Sequence, residues 1–169
     1  SKATLNNQLY DPYIKAYRFA MDKIQQTGEG IIAFVTNNSF IDAIALDGMR
    51  KHLAENFDKI FVVDLKGNVR KDSMKDGIPI GEKHTVFGLS AMVGISITFL
   101  IKCPSVQEKQ IFYSDVHFRA TRKEKFEFLE KGKNFYNLSV TEITPNKNHI
   151  WLTEGMEDDW DSLIPLGTK

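Results

Sequence analysis

Two stretches of this sequence gather residues capable of chemistry. After the apolar run Ile31 to Val35 comes Thr36-Asn37-Asn38-Ser39-Phe40, a polar cluster closed by an aromatic residue. Read alone, it is a strand-to-helix turn, with Ser39 or Asp42 as N-cap. Further on, Gly67 to Glu82 is rich in glycine and proline, with Lys66, Arg70, Lys71, Lys75 and Lys83 in or beside it. A long mobile loop of this kind binds a partner or is unstructured, though many such charge runs are only solvated surface. Phe87-Gly88 lies just beyond it, a composition that suits an exposed position.

Other chemistries find little support. His52, His84, His117 and His149 are scattered without metal-ligand spacing, and only His84, near Phe87, draws notice. The lone Cys103 excludes a disulfide framework and a multi-cysteine zinc site, and before Pro104 it reads as an inert packed thiol. No Ser-His-Asp or paired-carboxylate arrangement can be argued from spacing. Glu154, Glu157, Asp158, Asp159 and Asp161 surround Trp160, an acidic cluster that reads as a surface turn, a mimic of phosphate or a group that repels DNA.

The elements that must position these residues follow from periodicity. Apolar residues at Tyr10, Tyr13, Ile14, Tyr17, Ala20, Met21 and Ile24 step by three and four, which predicts a helix to Gln26. Asp11-Pro12 starts it and Gly28 closes it. Ile31 to Val35 reads as a strand covered on both faces. A helix over Asp42 to Asn56 would turn Ile44, Met49, Leu53 and Phe57 inward. Strands follow at Ile60 to Leu65, Val93 to Lys102 and Gln110 to Tyr113. The links of the last two are too short for crossover helices, so both are expected to pair antiparallel. Arg119 to Lys133 reads as a charged helix carrying Phe126, Phe128 and Leu129, its cations a solvated face or a contact for a DNA backbone. From Phe135 the chain looks irregular, anchored by Trp151, Trp160 and Leu163 to Leu166.

The composition agrees with one globular domain of 169 residues. Twenty-two Lys+Arg balance twenty-two Asp+Glu, so any polyanion must be met by a local patch. The longest apolar run, Ala91 to Ile101, falls short of the roughly 18 residues of a membrane span. A soluble, cytoplasmic protein is therefore expected. The absence of an initiating Met, and of any period in 1–8, reads as an excised or processed segment.

These pieces in this order resemble the second half of the methyltransferase region of Type ISP restriction–modification enzymes, within the adenine-N6 DNA methyltransferase family. The resemblance rests on Gly30-Ile31-Ile32-Ala33-Phe34-Val35-Thr36-Asn37-Asn38-Ser39-Phe40, on Asp47-Gly48-Met49-Arg50-Lys51-His52-Leu53, and on Val63-Asp64-Leu65-Lys66-Gly67-Asn68-Val69-Arg70-Lys71. Val86-Phe87-Gly88, the Val93 to Lys102 strand, Thr141 to Asn146 and Ser162 to Gly167 extend it across residues 9 to 169. It implies an α/β fold: a partial Rossmann-like methyltransferase sheet in which a strand–helix–strand unit is followed by antiparallel strands. Residues 1–134 would form the substrate side of the catalytic domain, and 135–169 an irregular tail leading toward a downstream domain.

Such enzymes transfer a methyl group from S-adenosylmethionine to adenine N6 in double-stranded DNA. The family's Gly-rich cofactor turn and its Asn-Pro-Pro-Tyr motif both lie upstream of the matching segment, and neither occurs here. The resemblance therefore implies no catalytic residue and no cofactor binding by this chain alone. An upstream methyltransferase half, in the same or another chain, would complete it. Asn37, Asn38, Ser39 and Phe40 would face the cleft beside the strand that bears the catalytic motif. Phe87 would stack on an adenine flipped from the duplex, and Lys66, Arg70, Lys71 and Lys75 would lie along the DNA backbone. An exposed hydrophobic sheet edge is expected where the missing strands pair, with homodimerisation as another use of it. The alternatives are a non-catalytic DNA-binding module, a remnant of a broken methyltransferase gene, or an unrelated α/β domain that docks a partner through its tail.

Overall fold

The first helix is capped at both ends by its own sequence. The Asp11 side chain accepts a hydrogen bond from the Tyr13 amide at 3.2 Å. Pro12 opens α1 (Pro12–Thr27), and Gly28, at φ 81°, closes it by donating to the Ile24 carbonyl. The computed structural model describes residues 10–69, 74–75, 78–79, 84–88 and 91–152. Within them α1 is followed by β1 (Gly30–Asn37), α2 (Asp47–Asn56), β2 (Lys59–Asp64), β3 (Met74–Lys75) and β4 (Ile78–Pro79). Then come β5 (Ile95–Lys102), β6 (Gln110–Asp115), α3 (Arg122–Gly132) and β7 (Thr141–Ile143).

Five strands form one mixed sheet in the order β1-β5-β2-β6-β7, an α/β arrangement consistent with part of a Rossmann-like sheet. β5 runs antiparallel to both β1 and β2, which therefore point the same way. β6 lies parallel to β2, and β7 antiparallel to β6. The carboxyl ends of β1, β2 and β6 thus share one rim with the start of β5.

Several expectations need correction. β1 is not covered on both faces: Ile32 is buried, but Ile31 is 66% and Val35 56% exposed. Among the described residues β1 pairs only with β5, so its other edge is open. β6 does not pair wholly antiparallel. The turn after β5 reverses the chain and carries it past β2, so β6 is antiparallel to β5 yet parallel to β2.

The helix expected from Asp42 starts at Asp47. Two 3-10 turns, Asn38–Ile41 and Ile44–Leu46, precede it and shift the register, so Leu46 is buried while Ile44 is 84% exposed. Tyr10, one residue before the Asp11 cap, is exposed rather than inward. The stretch from Phe135 is not irregular throughout, because β7 joins the sheet and Trp151 enters the core. In the basic loop, Met74–Lys75 pairs with Ile78–Pro79. Arg70, Lys71, Lys83, Trp160, Leu163 to Leu166 and the acidic cluster at 154–161 lie outside the described residues.

Two apolar layers sandwich the sheet. On one face Tyr17, Met21, Phe40, Leu46, Leu53 and Trp151 pack on Ile32, Ile60, Val62 and Leu100. On the other, Phe128 and Leu129 of α3 pack on Val63, Leu65, Ile95 and Val116. The first layer encloses a guanidinium. Arg50 is 1% exposed and donates through Nη1 to the carbonyls of Phe40 (2.9 Å) and Ala43 (2.8 Å), and through Nε to that of His149 (2.6 Å). Burial lowers its pKa, with the charges of Asp47 and Asp42 opposing. One side chain thus fixes the turn after β1 and ties it to the segment that delivers Trp151.

Truncating Arg50 removes hydrogen bonds from three carbonyls, of which that of Ala43 keeps the Leu46 amide at 3.1 Å. Arg50→Ala should cost about 3 kcal/mol or more, measured as a drop in the urea midpoint. Arg50→Lys, which cannot reach all three carbonyls, should restore only part of the loss. An Arg50→Ala midpoint equal to the parent's would refute the bracing role.

Candidate functional site

In open α/β sheets, ligands bind beyond the carboxyl ends of the strands. At that rim the last residue of β2, Asp64, is 6% exposed. Its Oδ1 accepts from Asn38 Nδ2 at 2.8 Å and from the Lys66 amide at 2.9 Å. Its Oδ2 accepts from the Tyr113 hydroxyl at 3.0 Å. One carboxylate therefore joins the turn after β1, the exit from β2 and a side chain of β6. Desolvation raises its pKa, and the bonds from Asn38, the Lys66 amide and Tyr113 only partly offset the rise. Burial, and then the Asp64 charge, push the Tyr113 hydroxyl up in turn.

The turn residues fall into distinct roles. Asn37 Oδ1 accepts from the Ser39 amide at 2.8 Å and the Ser39 hydroxyl at 2.7 Å, so these two side chains build the turn. Asn38 lies flat against the backbone just before β5: a Cβ at Gly94 would sit 2.4 Å from its side-chain amide atoms, which is why glycine occupies that position. The Asn38 amide also donates to the Gly94 carbonyl at 2.9 Å. Phe40 does not face the rim. It is wholly buried, with ring centroids 5.5 Å from Tyr17 and 6.1 Å from Trp151. An aromatic side chain without exposed surface cannot stack on a base, so Phe40 is a core residue.

Lys66 adopts a left-handed backbone, φ 51°, and its Nζ lies 2.6 Å from Asp115 Oδ2. Part of the expected basic surface is thereby neutralised within the protein. Lys75 is described only as backbone paired with Ile78. Phe87 is 53% exposed, on a turn in which the Thr85 hydroxyl donates to the Gly88 carbonyl. Behind it, Val86 is buried against Leu65, Ile95 and Val116.

A second buried cation anchors this turn. Lys125, 2% exposed, donates from Nζ to the His84 carbonyl at 2.5 Å. A Cβ on Gly67 would come within 3.1 Å of both that carbonyl and Lys125 Nζ, and Gly67 has φ 97°. Glycine thus lets the strand exit, the turn that carries Phe87, and α3 meet at one point. The sequence brings Asn38 and Lys66 together through Asp64, and sets Phe87 on a turn braced against Gly67. It does not add Phe40 to them. Asp64, Tyr113 and Lys125 were absent from the expected site. The signal for Asp64 was a carboxylate closing an apolar strand; Lys125 carried none, since it sits in a run of surface-type charges.

The turn after β1 has no glycine, its Asn38 and Ser39 amides are committed to Gly94 and Asn37, and Phe40 and Ile41 fill the space beneath it. Among the described residues the element after β2 is β3, not a helix whose N-terminus could take an anion. Among the described residues, no three His, Cys, Asp or Glu side chains group as metal ligands. No helix among them is long and apolar enough to cross a membrane.

A polar rim with an exposed aromatic beside it, on a partial α/β sheet, is the class of site defined here. No family model and no curated protein matches the chain. Solved structures do. The chain is similar to a nuclease-deletion mutant of the Type ISP restriction–modification enzyme LlaGI in complex with a DNA substrate mimic, with a TM-score of 0.86 and 27% identity. That match covers 100% of this chain and 16% of the other. The ATP-dependent Type ISP restriction–modification enzyme LlaBIII bound to DNA matches with a TM-score of 0.84 and 36% identity, over 100% of this chain and 11% of that one. A DrdV–DNA complex gives 0.79 and 34%, over 95% and 15%. The chain therefore spans 11–16% of the length of the proteins it matches, and its likeness to restriction–modification enzymes is to one part of them.

The raised pKa of Asp64 has a defined consequence for stability. Its folded-state value lies above its unfolded one, so the folded protein binds this proton more tightly. The associated stability is full at low pH and is lost as pH rises from the ordinary carboxylate range through the folded value. In Asp64→Asn that slope should vanish. The amide can still accept from Asn38 and the Lys66 amide while donating to the Tyr113 oxygen. Urea unfolding of both proteins from pH 4 to 8 checks this; parallel profiles would remove Asp64 as the cause.

Proposed function

We propose that this chain is the target-base side of an S-adenosylmethionine-dependent adenine-N6 DNA methyltransferase in a restriction–modification enzyme, and that it is inactive alone. The observation that carries the reading is Phe87, half exposed on a turn braced against the polar rim at the strand ends. Support comes from the likeness of the whole chain to part of two Type ISP enzymes bound to DNA or a DNA substrate mimic.

In this reading the Phe87 ring stacks on an extruded adenine, and the Asn37–Ser39 turn walls the cleft beside it. The Asp64 carboxylate keeps the turn and the β2 exit from moving apart. Lys66, Arg70, Lys71 and Lys75 belong to the loop that runs along the duplex backbone. The cofactor and the groups that engage the amine are supplied by an upstream half, whose strand pairs with the open edge of β1. A second copy of this chain is the competing occupant of that edge.

Titration calorimetry of S-adenosylmethionine into the purified chain should give no heat of binding. Clear micromolar binding would mean that a complete cofactor pocket exists, and would overturn the base-side assignment. Phe87→Ala should weaken binding to a duplex with one mismatched adenine by about 5- to 100-fold, the equivalent of one lost base stack. An unchanged affinity in fluorescence anisotropy would take Phe87 out of the site.

A further inference from the structure

The segment just beyond β6 carries a cluster that the site above does not use. The Val116 amide donates to the Asp64 carbonyl at 3.1 Å and its side chain is buried, so the chain leaves the rim at His117. There the His117 and Phe118 rings lie 4.5 Å apart at 37°, and the Arg119 guanidinium sits 5.4 Å over Phe118. One turn on, the Arg122 guanidinium sits 5.7 Å over Phe126, which is 45% exposed.

The carboxylates of Asp115, Glu124 and Glu127 are already engaged. Asp115 pairs with Lys66 at 2.6 Å and Glu127 with Lys123 at 3.6 Å. Glu124 accepts from the Thr121 amide and hydroxyl in a capping box, which holds its pKa below the ordinary range. Neither arginine makes an ion pair among the described residues. Two cations three residues apart, with no ion pair among the described residues, therefore stand on a chain whose net charge is zero. Each lies over a ring that restrains it, and a guanidinium held by its face keeps its N–H edge free for paired phosphate oxygens.

We propose that Arg119 and Arg122 form a ledge that grips the phosphate backbone of duplex DNA. This rests on the DNA reading above and adds a contact outside the 66–83 loop. The ledge borders the turn that carries Phe87, since Lys125 in the first half of α3 holds that turn through His84. A duplex that brings a base to Phe87 lays a neighbouring stretch of backbone across the two guanidiniums. Phe118 and Phe126 restrain the arginines before binding and reduce the side-chain entropy lost on contact.

The test is the salt dependence of duplex binding by the full chain, read by fluorescence anisotropy between 50 and 200 mM salt. Each phosphate contact adds about 0.9 to the slope of log K against log salt. The Arg119→Gln/Arg122→Gln variant should therefore lose about 2 from that slope, equally for unrelated duplex sequences. Lys15→Gln/Lys23→Gln on α1 removes the same charge, including another cation held over a ring, Lys23 at 5.5 Å from Phe19. It should leave the slope unchanged. If the parent binds and the arginine variant keeps its slope, or both variants lose it alike, the ledge is overturned while the DNA reading stands. If the parent does not bind duplex at 50 mM salt, both fall together.

Discussion

The carboxylate of Asp64 is the point from which the geometry of the rim is set. A charged group this deeply buried is tolerated only when its lone pairs are met by donors. Here three donors come from three different places: the turn after β1, the exit from β2 and the middle of β6. None of them can move without leaving part of the charge unpaired. The need to satisfy one desolvated group thus holds together elements that are far apart in sequence. It also dictates finer choices, including the amide orientation of Asn38, whose Nδ2 must face the carboxylate, and the glycine at 94 that lets the side chain lie flat.

Two buried cations extend that frame in opposite directions. Arg50, beneath the first face, collects carbonyls at the ends of the 3-10 turns. Lys125, on the other face, does the same for the turn bearing Phe87. Both donate to backbone carbonyls, so each converts an irregular segment into a fixed one. Irregular segments are what a binding rim is made of, and these polar anchors add to the packing of Phe40, Leu46 and Val86 from the same segments. The N-terminal end of β2 uses the reverse device. Asp58 is buried there, and desolvation would raise its pKa, but the Cys103 amide at 2.8 Å and Lys102 at 3.3 Å outweigh it and hold the carboxyl low.

Local signals carried much of this fold. Asp11-Pro12 and Gly28 marked α1 to within a residue or two, and the strands at Ile60, Val93 and Gln110 appeared where apolar runs placed them. What failed depended on neighbours. An apolar run such as Ile31 to Val35 says nothing of whether a second layer is present, and here one face of β1 is bare. The partner of β6 could not be read from link length, because the chain skips over a strand already in place. At the site, polarity and the glycine next to Phe87 pointed to an exposed aromatic, which the structure has. Phe40 was misread because a residue adjoining a polar cluster shares its sequence position but not its direction. Arg50 and Lys125 were illegible for one reason: each carries a charge in a helix with a polar face, and only the folded contacts show which face it occupies.

The bare face of β1 connects the sheet to what would complete it. Edge strands are usually protected by a charge, a proline or a bulge. Between Gly30 and Thr36, β1 has none of these, and Ile31, Ala33 and Val35 all point to the uncovered side. Phe99 of β5, paired with Ala33, is 37% exposed on that same side, so the apolar surface continues inward until α3 covers it at Ile97. An eight-residue strand whose edge and apolar face have no partner among the described residues satisfies neither group in water. A strand pairing with the edge and a helix lying over the face would satisfy both together. The proposed cofactor-binding half supplies that pair of elements in one step, whereas a second copy of this chain meeting edge to edge would leave the two faces exposed.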